Sequence, residues 1–148
     1  NKKPKLGIIY APAKERLFYT FEKNECYEIS KGGKIKLNCE KKTNKNQICA
    51  LVYSENLKPI LKNIHADHGV TKVVRMKSSL KFCMIASGEY DFYAAEPRAM
   101  EWDIAAGHAI VENAGGLVTD FNGNEILYGK ENFVNSSIIL KRNIDLLK

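Results

Sequence analysis

The stretch Glu101-Trp102-Asp103-Ile104-Ala105-Ala106-Gly107-His108, followed by Ala114-Gly115-Gly116, constrains this chain more than any other. The spacing predicts a helix over about residues 103–114, because the glycine pair offers the left-handed backbone on which helices stop. On a helical wheel, positions 103, 106, 107, 110, 111 and 114 share one face and read Asp, Ala, Gly, Ile, Val, Ala. Five of those six are small or apolar, so the face is expected to be buried, with Asp103 on the buried stripe at the helix start. Ala105, Ala106 and Gly107 would let a second backbone or a ligand approach closely. A carboxylate there has two compatible uses. It can cap the helix, a common role for Asp, or it can offer a hard oxygen to a cation such as Mg²⁺ and to the phosphate held by that ion.

The remaining pattern is one of short apolar runs separated by turn residues. Residues 6–10 and 16–21 read as strands joined by the Ala11-Pro12-Ala13 turn, and residues 26–29 and 34–37 flank the hairpin turn Ser30-Lys31-Gly32-Gly33. The polar run 38–47 reads as a loop. Beyond it strands and helices alternate: strand 48–53, helix 57–66, strand 70–76, helix 78–87 closed by Gly88, and strand 90–94. After the third helix, residues 117–119 and 126–128 flank the Asn122-Gly123 turn, and residues 137–140 form a last strand. This order predicts an α/β fold, a mixed sheet flanked by helices and preceded by antiparallel strands.

At 148 residues with 45% hydrophobic content, the chain can build one core and is not a disordered one. Its longest apolar run, Ile48 to Tyr53, covers six residues, against the roughly twenty of a membrane span. The expectation is a soluble cytoplasmic protein, with attachment at the inner face of the membrane left open. Cys26, Cys39, Cys49 and Cys83 form no CxxC pair and read as reduced packing residues rather than zinc ligands. Residues 1–81 hold 18 Lys and Arg against 7 acids, and residues 82–148 hold 5 against 10, so the halves differ by sign. A basic half can attract nucleic acid or a phosphorylated small molecule. No aromatic residues interleave with the lysines along the sequence, which favours an ordinary solvated surface over a nucleic-acid site.

A second candidate site lies where strand 70–76 passes through Lys77 into Ser78-Ser79-Leu80-Lys81. Hydroxyls, backbone amides and positive charge would gather there at the carboxyl end of a strand, where α/β proteins bind ligands. An ordinary Ser cap is the equally open alternative. His65 and His68 precede Gly69 with no third ligand in view, so they read as a polar helix end, and His108 as a polar-face residue. Trp102 is expected to anchor the third helix in the core.

The WDIAAG stretch with Ala114-Gly115-Gly116 resembles the second signature of the inositol monophosphatase superfamily, Mg²⁺-dependent phosphatases of sugars and nucleotides. The sequences LGIIYAPAKERLFY, SSLKFCMIASGEYDFY and MEWDIAAGHAIVENAGG are similar to the CysQ-type 3'(2'),5'-bisphosphate nucleotidases within it. That resemblance implies a layered sugar-phosphatase fold and removal of the 3'-phosphate from adenosine 3',5'-bisphosphate to give AMP, with two or three Mg²⁺ ions in the complete enzyme. It implies that Asp103 binds metal and substrate, that Ser78 and Lys81 contact the nucleotide, and that Arg98 substitutes for an Arg usually found nearer the central helix. Glu96, seven residues before Asp103, matches the sugar-binding Glu of inositol monophosphatases, which keeps a sugar or inositol phosphate as the alternative substrate. A non-catalytic nucleotide-binding remnant is the third reading.

The same resemblance implies further metal ligands in a DPxDGT loop and an upstream Glu, neither of which occurs in this sequence. The chain is therefore expected to be the C-terminal half of such an enzyme. Residues 1–47 would complete the N-terminal subdomain and residues 48–148 would form the C-terminal one. The fragment alone is expected to be inactive without its N-terminal half.

Overall fold

Residues of alternating burial build the first sheet of the computed structural model, which describes residues 2–40 and 47–142. Strand β1 (Gly7–Ala11) runs through a single 3-10 turn at Pro12–Lys14 into β2 (Arg16–Glu22), with Glu15 left-handed at φ 51° to reverse the chain. Strands β3 (Glu25–Ser30) and β4 (Gly33–Lys36) follow, and all four pair antiparallel in the order β1-β2-β3-β4. Phe18, Thr20, Cys26 and Glu28 point to the buried side. The expected loop at 38–47 lies outside the described residues over 41–46.

The second sheet takes β5 (Ile48–Val52), β6 (Val70–Arg75), β7 (Phe92–Ala95), β8 (Leu117–Thr119) and β9 (Ile138–Lys141) in the order β6-β5-β7-β9-β8. β5 is parallel to both β6 and β7, while β9 runs antiparallel to β7 and β8. Helix α1 (Pro59–Asp67) packs on β6 and β7, and helices α2 (Leu80–Ala86) and α3 (Glu101–Asn113) lie between the two sheets. The layers are therefore sheet, helices, sheet, helix, in agreement with the α/β expectation.

Two glycines set the spacing of these layers. A Cβ on Gly7 would fall 2.2 Å from the Ala106 carbonyl oxygen, and one on Gly107 would fall 2.4 Å from Phe82 Cγ. The small residues of α3 thus admit β1 on one side and α2 on the other, the close approach their size suggested. Two buried ion pairs tie the elements together. Arg142 Nε lies 2.7 Å from Asp91 Oδ1, and Arg16 donates to both oxygens of Glu28 at 2.6 and 2.8 Å. Cys26, Cys39 and Cys83 are buried free thiols, as expected of packing residues.

Several expectations are corrected. Residues 126–128 form no strand. Among the described residues the nearest ladder contact is an isolated bridge from the preceding Glu125 to Thr119, and Leu127 stays exposed. Helix α2 begins at Leu80 rather than Ser78, and α3 begins at Glu101 with Met100 as its extended cap residue. Because α3 is clasped between two layers, its buried face runs through Glu101, Ile104, Gly107, His108 and Val111. Asp103 lies beside that stripe and is exposed. Trp102 does not anchor the core: it is 65% exposed, with its ring tilted at 50° to that of Phe133 and the centroids 6.0 Å apart.

Candidate active site

Parallel strands deliver their carboxyl ends to one place. Tyr53 follows β5, Lys77 and Ser78 follow β6, Glu96 and Arg98 follow β7, and the first turn of α3 arrives beside them with Asp103. A cleft of about 440 Å³ opens there, lined by Ser78, Lys81, Tyr93, Trp102 and Asp103 among others. A second recess of about 310 Å³ shares Ser78, Lys81 and Tyr93 and adds Tyr53, Lys77 and Arg98. The structure so brings together all four residues singled out from the sequence: Asp103 in the first recess, Arg98 in the second, Ser78 and Lys81 in both.

Asp103 occupies the third helical position of α3, not the cap itself. Its Oδ2 accepts the Met100 backbone N–H at 2.8 Å, so the carboxylate does brace the helix start, where negative charge is favoured. Its other oxygen has no hydrogen bond among the described residues. Ser78 holds a left-handed backbone at φ 75°, a conformation non-glycine residues adopt at a cost of about 1 kcal/mol or more. That turn lets Ser78 Oγ accept the Leu80 N–H at 3.2 Å and its carbonyl accept Lys81 Nζ at 2.7 Å.

Lys81 is 7% exposed, with its ammonium 5.0 Å from the Tyr93 ring centroid. Burial, aided by the nearby Arg98 charge, pushes its pKa down to about 8. Burial also pushes the Tyr93 phenol up to about 12. Arg98 stacks its guanidinium 3.9 Å from the centre of the Tyr53 ring. The Tyr53 hydroxyl donates to Glu96 at 2.7 Å, and Lys58 pairs with Glu96 at 3.0 Å. Burial alone would raise the Glu96 carboxyl, but those two partners outweigh it and hold it below the usual range. Glu96 therefore belongs to an ion pair beside the second recess, held there by the Tyr53 that lines it.

The donor set can be tested against Mg²⁺. One free carboxylate oxygen at a helix start suits a hard cation, yet among the described residues no three His, Cys, Asp or Glu side chains converge as a metal site. Asp103 fits as one ligand of a larger cluster and not as a centre by itself.

Sequence reasoning missed several residues here. Tyr53 and Tyr93 gave no spacing signal, and only their position at strand ends could have pointed to the site. Glu101 carries no sequence signal of its place, although it is buried and accepts the backbone N–H groups of Gly129 and Lys130, each at 3.0 Å. His108 is buried instead of lying on a polar face, with Nδ1 2.9 Å from the Tyr128 hydroxyl and Nε2 3.1 Å from Glu112. His65 packs its edge on Phe92 while His68 Nδ1 meets the Ile64 carbonyl, so the pair forms no ligand site.

Residues 1–147 match the model of the inositol monophosphatase family. The chain is 36% identical over 137 residues to a 3'(2'),5'-bisphosphate nucleotidase CysQ of Buchnera aphidicola, an alignment covering 90% of this chain and 50% of that protein. It is 30% identical over 141 residues to the CysQ of Salmonella typhimurium, covering 90% and 53%. A crystal structure of CysQ from Bacteroides thetaiotaomicron superposes with a TM-score of 0.78 at 27% identity, over 95% of this chain and 59% of that one. The chain spans about half the length of the curated relatives it matches.

Proposed function

Because the chain belongs to the inositol monophosphatase family, we propose that its cleft serves Mg²⁺-dependent hydrolysis of a phosphomonoester, namely removal of the 3'-phosphate from adenosine 3',5'-bisphosphate to give AMP. The observation that carries this reading is the convergence of Asp103 and Lys81 in one cleft that shares Ser78, Lys81 and Tyr93 with the Lys77 and Arg98 recess. Bound Mg²⁺ would supply charge neutralisation and an activated water.

The residues of this chain have separable tasks. Asp103 offers one hard oxygen while its back-bond to Met100 keeps the carboxylate in place. Lys81, Lys77 and Arg98 offset the charge of a doubly phosphorylated ligand, and Lys81 does so most strongly because it is withdrawn from water. Ser78 presents its hydroxyl at the junction of the two recesses. The walls of Tyr93 and Trp102 narrow the volume open to bulk water. The other metal ligands would be carboxylates outside these 148 residues, with residues 1–47 completing the subdomain that carries them. An inositol or sugar monophosphate is the rival substrate, but the Glu96 that would favour it is engaged by Tyr53 and Lys58. The free thiols suit the reducing cytoplasm, and among the described residues no helix is long and apolar enough to cross a membrane.

The test is phosphate release by the protein joined to its complementary half, from adenosine 3',5'-bisphosphate and from inositol phosphates. We expect the nucleotide to be preferred and Asp103→Ala to lower release by 100-fold or more, the scale at which lost charge-stabilising groups act. Unchanged release by Asp103→Ala would sink the role given to that carboxylate. The 148 residues alone are expected to give no turnover, and Mg²⁺-dependent release from them would refute the need for outside ligands.

A further inference from the structure

Three cations line the recess of about 310 Å³ beside the cleft, Lys77, Lys81 and Arg98, and no carboxylate lines it with them. Lys81 is fixed by burial and by its bond to the Ser78 carbonyl. Arg98 has neither constraint. It is exposed and makes no ion pair among the described residues. A free arginine side chain is spread over many rotamers, and any anion that binds it has to meet the cost of ordering them. What orders Arg98 is the Tyr53 ring, whose centre lies 3.9 Å from the guanidinium carbon.

Tyr53 is itself held at both ends. Its backbone leaves the carboxyl end of β5, and its hydroxyl donates to the Glu96 carboxylate, with the two oxygens at 2.7 and 2.8 Å. Glu96 leaves the carboxyl end of β7, which pairs in parallel with β5, so this bond ties two neighbouring strand ends beside the recess. The carboxylate also takes Lys58 at 3.0 Å, the cap residue of α1. We propose that Lys58, Glu96 and Tyr53 are positioning residues: they hold Arg98 ready for a phosphate in the recess, the one that reaction at Asp103 leaves on the product. The proposal rests on the reading of the cleft as a site for phosphate esters. Glu96 then acts through Tyr53 and Arg98 without touching the ligand.

Two effects let these three residues act on Arg98. A hydroxyl bonded to a carboxylate makes a charge-assisted hydrogen bond, roughly twice as strong as a neutral one, and it fixes the ring against which the guanidinium lies. Glu96 also stands two residues before Arg98 in the chain, and a free carboxylate there could pair with the guanidinium and cancel the charge offered to a ligand. Its engagement by Tyr53 and Lys58 keeps it away. The rival explanation is a tie that only stiffens the strand ends. The two differ in sign. Removing a carboxylate beside a basic recess strengthens anion binding by its field alone, whereas removing a brace weakens it.

The test is calorimetric titration of the 148-residue chain with AMP in the absence of Mg²⁺, because AMP retains the phosphate in question and the recess is built from this chain. We expect Arg98→Ala to weaken binding by about tenfold or more, the scale of a lost hydrogen bond to a charged group. Glu96→Ala and Tyr53→Leu should each weaken it by about threefold, the share of an exposed cation–π contact. Glu96→Gln keeps an acceptor for the Tyr53 hydroxyl and should bind AMP as the wild type does. In NMR spectra the Tyr53 ring current should displace the Arg98 Nε–H signal, and that displacement should vanish in Glu96→Ala and persist in Glu96→Gln. Circular dichroism separates lost binding from lost folding. No binding of AMP by the wild type, unchanged or tighter binding by Glu96→Ala, or an Arg98 signal indifferent to that change would each overturn the proposal. Tight AMP binding that ignores Tyr53→Leu and Glu96→Ala would remove the brace and leave the nucleotide reading intact. Inositol monophosphate bound as tightly as AMP, and weakened by the same changes, would leave the brace standing and remove the nucleotide reading.

Discussion

Replacing Lys81 by Met should stabilise the protein near neutral pH and lose that advantage in alkali. Burial lowers the Lys81 pKa from 10.5 to about 8, so the folded chain gives up this proton before the unfolded chain does. Below about pH 8 the charged ammonium carries its full burial cost. Between about 8 and 10.5 the unfolded chain binds more protons, so stability rises with pH across that window. A drop of this size corresponds to roughly 3 kcal/mol at 1.4 kcal/mol per pH unit, discounted to about 2 kcal/mol because the cleft admits some water. Against it stands the hydrogen bond to the Ser78 carbonyl at 2.7 Å, worth about 1 kcal/mol. The net gain for Lys81→Met at pH 7 is therefore about 1 kcal/mol. By pH 10 roughly three-quarters of the burial cost is relieved, and the variant should then be equal to the wild type or slightly weaker. Urea unfolding followed by circular dichroism at both pH values measures the difference, and other titrating groups cancel in the comparison. A variant that is destabilised at pH 7, or whose effect is the same at pH 7 and 10, would refute the reasoning. The confirmed result would mean that the chain keeps a destabilising cation at its cleft, as expected of a group retained for binding an anion.

Gly7→Ala should cost about 2 kcal/mol or more in urea unfolding, since its Cβ would meet the rigid Ala106 carbonyl at 2.2 Å, whereas Gly32→Ala, with its nearest neighbour at 3.9 Å, should be close to neutral. Arg142→Met removes the cation from the Asp91 carboxylate, which is 2% exposed in its side chain and keeps the Cys49 N–H, and should cost about 3 kcal/mol; the double change with Asp91→Leu should recover part of the loss in a double-mutant cycle. Among the thiols, burial raises Cys26 and Cys39 to about 12 and raises Cys83 as well. A thiol reagent at pH 8 should accordingly label at most Cys49 in minutes, and all four after unfolding in urea.

Much of this was legible because local signals and packing agreed. The Ser30 to Gly33 hairpin, the alternating strands around it and the Ala114-Gly115-Gly116 stop lie within a residue or two of their expected places. The convergence of Ser78, Lys81, Arg98 and Asp103 could be anticipated from strand-end position and resemblance together. The failures came where one chain segment is decided by another. Periodicity places Asp103 inside because a wheel assumes one covering layer, while α3 has two and buries Glu101, Ile104 and His108 instead. Residues 126–128 have strand-like composition, but pairing with β8 stops at the Glu125 bridge to Thr119, and the segment leaves the sheet toward α3, where His108 meets the Tyr128 hydroxyl and Glu101 takes the N–H groups of Gly129 and Lys130. Trp102 is apolar enough for a core, yet its position at the start of α3 aims it at the cleft mouth. No sequence rule joins Glu96 to Lys58 and Tyr53, since their meeting depends on three different loops.

The exposed position of Trp102 has a practical consequence. It is the one tryptophan of the chain, already 65% exposed and seated on the wall of the cleft. Its emission should be red-shifted in the native protein and change little on unfolding, making it a poor gauge of stability. A nucleotide or a second polypeptide that covers the cleft mouth would shift that emission to the blue or quench it. The molecule carries an intrinsic optical reporter of occupancy, placed where the layers leave one indole in water.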